Sequence, residues 1–357
     1  MTRAPLQSST TPLIDQHDVA LLDLDGVVYI GSDAVPGVPG FIAMAAEAGM
    51  RFGYVTNNAA RTPQQVAEHL RHLGIAARDE EVITSSQAAS RVLAGHLPAG
   101  SPVLITGTSA LALEVQTAGL RAVWSASDEP AGVVQGYSPD LSWSMLAEAC
   151  VAIRAGALWV ATNTDSTLPS PRGPLPGNGS FVQVVAQTTG ATPVVTGKPE
   201  PAMHAECVLR TGAQRPLVVG DRLDTDIAGA QRADVASLLV LSGLARPIDL
   251  LKAPDRQRPT YLAADLGGIL EPAPGVDRSG GGARCGDWQV RSLGGSLELK
   301  AVRGASVGSV EPTGFSAQDC DALRALAVLG WEAKTSRTVA GDRAADGALT
   351  RLGLAAD

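Results

Sequence analysis

From Val19 to Leu241 short apolar runs alternate with longer segments whose apolar residues recur at helical spacing. "VALLDLD" reads as a strand, "VPGFIAMAAEAGM" as a helix ending near Gly49, and "RFGYVTNN" as a strand again. "TPQQVAEHLRHLG" follows as a helix, with Thr62 placed to cap it and Pro63 at its first position. After "AGHLPAGSP" the alternation restarts. "VLITG", "AGVVQGY" and "ALWVATN" read as strands, and "SALALEVQTAG" and "SWSMLAEACVAIRAG" as the helices between them. A loop rich in proline and glycine, "DSTLPSPRGPLPGNGS", precedes the helix "FVQVVAQTTG". The first pattern then resumes through "TGKPEPAMHAECVLRTG", "PLVVGDRLDTDIAGAQRAD" and "ASLLVLSG".

Strands that alternate with helices form a parallel sheet covered on both faces. The economical division is one α/β unit inserted in another. Residues 14–95 and 192–270 form a doubly wound, Rossmann-like parallel-sheet core, and 96–191 an inserted α/β cap. Residues 271–357 differ in style and are expected to be a linker and a small accessory region. "EPAPGVDRSGGGARCGD" reads as the linker, "WQVRSLGGSLELKAV" as a hairpin turning at Gly294-Gly295, and "SAQDCDALRALAVLGWE" as an amphipathic helix. The opening "MTRAPLQSSTTPLIDQHD" has no apolar core of a signal peptide and reads as a flexible leader.

A formal charge of -8 argues against nucleic acid or an anionic membrane surface as a partner. No apolar run is long enough to insert in a bilayer. Cys150, Cys207, Cys285 and Cys320 are too scattered for a zinc site or a disulfide framework, which fits a cytoplasmic protein. The five histidines form no paired ligand motif. Lysine occurs only at 198, 252, 300 and 334, so a lysine inside a motif stands out.

Asp23 and Asp25 interrupt an otherwise apolar run at alternate positions, and alternate residues of a strand share a face. Two carboxylates crowded together are costly unless they face water or hold a cation. Three other segments lie at the ends of expected strands or the starts of helices, where open α/β sheets bind ligands. They are "VTNN" with Thr56, Asn57 and Asn58, "TGKPEP" with Lys198, and "VVGDRLDTDIAGA" with Asp221, Asp224 and Asp226. This set suits phosphoryl transfer through an aspartyl-phosphate. A carboxylate nucleophile divides a hard hydrolysis into two steps. Mg²⁺ with its oxygen ligands, together with a lysine point charge, offsets the repulsion between carboxylate and phosphate.

The order and wording of these segments, with "DLDGVVYIGSDAVPGVPGF" first, resemble the haloacid dehalogenase superfamily over roughly residues 18 to 265. The likeness is to its phosphatases with a large α/β cap between the second and third motifs. It implies Asp23 as nucleophile, Asp25 as general acid and base, and Thr56, Asn57, Asn58 and Lys198 at the phosphate. Mg²⁺ is then expected on Asp23, Asp221 and the main-chain carbonyl near Asp25, with Asp224 and Asp226 orienting its waters.

The substrate implied is a small phosphomonoester beneath the cap, glycerol 3-phosphate first. The alternatives are 2-phosphoglycolate, pyridoxal 5′-phosphate and nucleotides. The cap loop offers Thr167, Ser170, Arg172 and Asn178 but no aromatic ring for stacking, which favours a short polyol, while Tyr137, Trp143 or Trp159 can reach the site from elsewhere in the cap. Arg172 is the candidate contact to substrate. Trp143 and Trp159 are expected in the cap core or on its surface, and Trp288 and Trp331 in packing. A homo-oligomer stays open, as does a non-enzymatic interaction module on the same scaffold, against which the complete motif set counts.

Overall fold

The computed structural model describes residues 4–168, 172–302 and 314–355, with Ser170 outside them. Contacts divide the chain into two compact units, Met1–Phe52 with Ala213–Asp357, and Gly53–Gly212. The tail therefore groups with the first unit. The second unit is wider than the span 96–191 marked by the sequence alternation.

In the first unit four parallel strands lie in the order Tyr261–Ala263, Ala236–Val240, Pro216–Gly220 and Val19–Asp23. Val19 faces Pro216 and Leu22 faces Val219. These strands are continuous apolar runs because helices cover both faces of a parallel sheet. Val19, Ala20, Leu21 and Leu22 are all buried. At the base of the first strand, Asp18 accepts the Gln214 N–H at 2.9 Å and the Arg215 N–H at 2.7 Å. Burial opposes ionisation there, but these amides and Arg51 hold the Asp18 carboxyl below the usual carboxylate range.

The tail is integral to the first unit. Its strands Gly282–Cys285, Trp288–Leu293, Ser296–Ala301 and Thr338–Ala340 form one sheet in that order. The hairpin forms as expected. Leu293 pairs with Ser296, and Gly294 and Gly295 supply the positive φ values, 57° and 80°, that a tight two-residue turn demands. The helix Ala317–Ala333 starts at Ser316, whose hydroxyl accepts the Asp319 N–H while Asp319 answers to the Ser316 N–H. That helix packs against Pro247–Leu251 and the strand Tyr261–Ala263. Leu239, Leu250 and Leu262 share one buried cluster with Trp288, Leu323 and Leu326. Trp331 donates its indole N–H to the Leu250 carbonyl at 2.9 Å.

Two expectations are corrected here. The linker segment contains the strand Gly282–Cys285, whose inward residues are the small Ala283 and Cys285. The leader is tied down from Leu6 onward. Leu6 and Gln7 donate to the Pro259 and Thr260 carbonyls at 3.0 and 2.8 Å, Ser9 to Ala273 at 2.9 Å, and Leu6 and Leu13 are buried.

The strand Arg51–Thr56 begins in the first unit and continues into the second, where Tyr54 pairs in parallel with Val82 and Thr56 with Thr84. The helix Pro63–His72 has Thr62 as its cap and Pro63 in its first turn, as expected. A separate five-stranded sheet runs in the order Val194–Val195, Leu158–Ala161, Gly132–Gln135, Pro102–Thr106, Arg121–Val123, and every pairing is parallel. Apolar clusters cover both of its faces. One contains Leu104, Val133, Trp159 and Val182, and the other Leu93, Val103, Leu111 and Val134.

Candidate active site

In the first unit Asp23, Asp221 and Asp226 each offer a carboxylate oxygen within 4.8 Å of the other two. The strand Val19–Asp23 delivers the first, and the strand Pro216–Gly220 delivers Asp221 just past its end. A π-helical turn, Leu223–Ile227, follows and carries Asp226 back to the group. Asp221 and Asp226 are buried and Asp23 is half-buried. Asp221 Oδ2 accepts the Leu244 N–H at 2.7 Å, and Asp226 Oδ2 accepts the Arg222 N–H at 3.2 Å.

Three glycines make room for this cluster. A methyl at Gly26 or Gly243 would sit closer than 3.0 Å to the Asp221 carboxylate, and one at Gly220 closer than 3.0 Å to that of Asp226. Gly26 also has φ +89°, which disfavours a side chain. Three carboxylates gathered together, two of them out of water, repel one another strongly unless a cation joins them. An all-oxygen, acidic donor set suits a hard divalent cation such as Mg²⁺.

The sequence reading gave the metal to Asp23, Asp221 and the segment at Asp25, with Asp226 in support. In the structure Asp226 lies in the carboxylate group itself, while Asp25 is exposed beyond the strand end. Asp224 points elsewhere and forms an ion pair with Arg222 at 2.9 Å. Burial raises its pKa, but the Arg222 guanidinium outweighs that and holds the carboxyl below the usual carboxylate range. The loop Ser242-Gly243-Leu244 went unnoticed in the sequence. Its signal is a serine and glycine just past the strand Ala236–Val240, at the sheet's ligand-binding edge.

Gly243→Ala is expected to leave the protein folded but weaken Mg²⁺ binding at least tenfold, about 1.4 kcal/mol, because the added methyl displaces Asp221. Isothermal titration with Mg²⁺ checks this, and wild-type affinity would show that the cradle does not matter.

The second unit holds the other motif residues. Thr56 ends its strand buried, and its Oγ1 accepts the Asn58 N–H at 3.0 Å. Asn58 Oδ1 in turn accepts the Ala60 N–H at 2.8 Å. Asn57 Oδ1 accepts the Lys198 N–H at 2.8 Å, and its Nδ2 donates to the Lys198 carbonyl at 3.1 Å and to Asp165 Oδ2 at 3.0 Å. Asn57 and Lys198, distant in sequence, are thus brought together. Asp165 and Asn163 join them without having been foreseen. Their signal is the "TNTD" just beyond the strand Leu158–Ala161.

The expected cap-loop contacts divide. Arg172 is exposed, and Asn178 is buried at the start of the helix Asn178–Thr189. Asn178 Nδ2 donates to the Asn163 carbonyl at 2.8 Å, so Asn178 holds the cap together. Trp159 is buried in the cap core, whereas Trp143 is exposed. A cavity of about 710 Å³ opens within this unit, lined among others by Asn58, Arg61, Thr108, Trp124, Tyr137 and Ser138. Aromatic rings therefore do line a cap cavity, drawn from segments other than the loop.

Residues 20–121 match the family model for haloacid dehalogenase-like hydrolases, and residues 195–269 match a HAD-hydrolase-like model. The D-glycerol 3-phosphate phosphatase of Mycobacterium tuberculosis is 43% identical over 96% of each chain. An acid sugar phosphatase of Staphylococcus aureus is 36% identical over 70% of this chain and 96% of its own. The crystal structure of a glycerol phosphate phosphatase from M. tuberculosis in complex with magnesium superposes with a TM-score of 0.85 at 42% identity, covering 96% of this chain and 99% of that one.

Proposed function

This chain belongs to the haloacid dehalogenase-like hydrolases and is a phosphatase, and from that premise we propose that it hydrolyses glycerol 3-phosphate to glycerol and phosphate with Mg²⁺. The observation that carries the chemistry is the Asp23–Asp221–Asp226 carboxylate group in its glycine cradle. The choice of substrate is supported by a relative named for glycerol 3-phosphate that matches nearly end to end, tail included. Thr108, Ser109 and Ser138 on the cap cavity add hydroxyl groups suited to a polyol.

In this reading Asp23 attacks phosphorus, the bond to the leaving oxygen breaks, and Asp25 gives that oxygen its proton. Asp25 then takes a proton from water, which attacks the aspartyl-phosphate and restores Asp23. Lys198, Thr56 and nearby main-chain amides hold the phosphate oxygens, with Asn57 and Asn58 in the cradle. Asp23, Asp221 and Asp226 would hold Mg²⁺ together with the main-chain carbonyl at Asp25, while Asp224, paired with Arg222, would stay further out. When bound, the ion offsets the repulsion between the phosphate dianion and the carboxylates. Arg172, exposed on the cap loop, is the candidate contact to the leaving group.

Trp124 and Tyr137 on the cavity favour a second reading, a phosphomonoester with a flat leaving group such as pyridoxal phosphate. The deciding comparison is kcat/KM for glycerol 3-phosphate, 2-phosphoglycolate, pyridoxal phosphate and a nucleoside monophosphate at one Mg²⁺ concentration. Glycerol 3-phosphate is expected to lead by at least tenfold, about 1.4 kcal/mol of transition-state binding. A chelator is expected to stop turnover with all four. If pyridoxal phosphate leads instead, the aromatic lining decides and the glycerol assignment fails.

Among the described residues no helix is long and apolar enough to cross a membrane. All four cysteines are free and buried, which supports a reducing cytoplasm as the site of action.

A further inference from the structure

Asn57 follows the motif threonine, yet its side chain is turned toward another residue's backbone. Its amide grips both sides of Lys198, accepting the N–H at 2.8 Å and donating to the carbonyl at 3.1 Å. Its Nδ2 also donates to Asp165 Oδ2 at 3.0 Å. The Asn57 backbone is itself held, its carbonyl accepting from Ser85 Oγ at 2.7 Å and Asn163 Nδ2 at 2.8 Å. The approach is tight. A methyl on Gly197 would lie 2.7 Å from Asn57 Oδ1 and closer still to the Thr162 carbonyl. Asp165 is fixed in its turn, its N–H donating to Asn163 Oδ1 at 3.2 Å and its carbonyl accepting the Gly179 N–H at 2.8 Å.

We infer that Asn57 is a positioning residue that acts through Lys198, and that Asp165 sets the orientation of its amide. This rests on the proposed role of Lys198 as the phosphate cation. A lysine side chain has four rotatable bonds, so the direction in which its Cα launches it must be fixed if the ammonium is to meet a small target. Two hydrogen bonds to one residue's N–H and C=O fix that direction as a single bond does not. The device also explains why an amide stands at position 57. A carboxylate there still accepts the Lys198 N–H, but it turns a second acceptor toward the Lys198 carbonyl and the Asp165 carboxylate. Asp165 sits in the segment leaving the strand Leu158–Ala161, so the lysine's placement is tied to the cap sheet.

The test is a double-mutant cycle on the Mg²⁺-loaded full chain, with p-nitrophenyl phosphate turnover and calorimetric binding of inorganic phosphate as readouts. N57A is expected to lower kcat about a hundredfold while KM moves less than about threefold, as for a misplaced catalytic group. In the K198A background the same change is expected to cost less than about threefold in kcat, and if turnover is undetectable there the N57D and N57D/D165N pair decides. N57D is expected to be as damaging as N57A. Adding D165N restores a donor facing the new carboxylate and is expected to recover at least about tenfold.

An N57A penalty of equal size with and without Lys198 overturns the inference, because Asn57 then serves the substrate directly. K198A turning over within about threefold of wild type overturns the underlying role of Lys198 instead. Should N57A not fold, the N57D and N57D/D165N pair decides, and absence of recovery counts against the device.

Discussion

Asp23→Asn is expected to lower phosphate release by at least about 10⁴-fold while the protein remains folded. The amide keeps the shape of the side chain but is a poor nucleophile, and the uncatalysed reaction that remains is among the slowest known. The same change takes one negative charge out of a group of three carboxylates whose oxygens lie within 4.8 Å. Two opposite effects on stability follow. Without metal the variant is expected to melt higher than wild type, since like charges no longer crowd together. With saturating Mg²⁺ the order reverses, because the wild type binds the ion more tightly and gains more from it. Phosphate release and thermal melts with and without Mg²⁺ check both parts. Residual turnover above about 1% of wild type would rule out Asp23 as the nucleophile. A metal-independent melting shift would rule out the carboxylate group as the ion's site.

Cutting the chain after Glu271 is expected to leave a fragment that does not stay folded, even though every motif residue precedes the cut. The helix Ala317–Ala333 covers Pro247–Leu251 and the strand Tyr261–Ala263, and Leu239, Leu250, Leu251 and Leu262 belong to the cluster it helps to close. Uncovering Leu250, Leu251 and Leu262 costs up to about 4–9 kcal/mol at 1.5–3 kcal/mol each, comparable to the whole stability of a typical domain. Gel filtration and circular dichroism of the fragment decide the matter. A soluble monomer melting within about 5 °C of the full chain would show that the tail is dispensable for folding.

The parts of this architecture that were legible in the sequence are those where one physical requirement dominates. Strands buried on both faces are dominated by apolar residues, and "VALL" and "LLV" within the strands Val19–Asp23 and Ala236–Val240 are such runs. A tight hairpin needs two residues at positive φ, and Gly294-Gly295 announces it. The four motif segments stand out because charge at a strand end has few reasons to be there.

What stayed hidden depends on long-range company. Ala283 and Cys285 are too small to mark Gly282–Cys285 as a strand until the helix Ala317–Ala333 lies against it. Asp226 joins the carboxylate group because Leu223–Ile227 is wound as a π-turn, which no side-chain spacing foretells. The helix expected to begin at "FVQ" begins at Asn178, because Gly179 lets the turn press against the Thr164 carbonyl. Trp124, which lines the cavity beside Tyr137, comes from a segment apart from the cap loop, so that loop did not reveal it.

Asp18 and Arg215 are joined by a 2.7 Å hydrogen bond across 197 positions of chain. The neighbouring strands pair across the same gap, Val19 with Pro216. This has a consequence for the order in which the molecule is built. During synthesis the first strand waits for its partner until all of Gly53–Gly212 has left the ribosome. Were that stretch still a coil, joining its ends would carry the loop-closure entropy of a very long chain, which rises by about 0.6 kcal/mol with each doubling of length. An insert that folds first removes most of that cost. An insert that is native before its ends meet therefore favours closure of the first sheet, whose strands Val19–Asp23 and Pro216–Gly220 lie on either side of it in sequence.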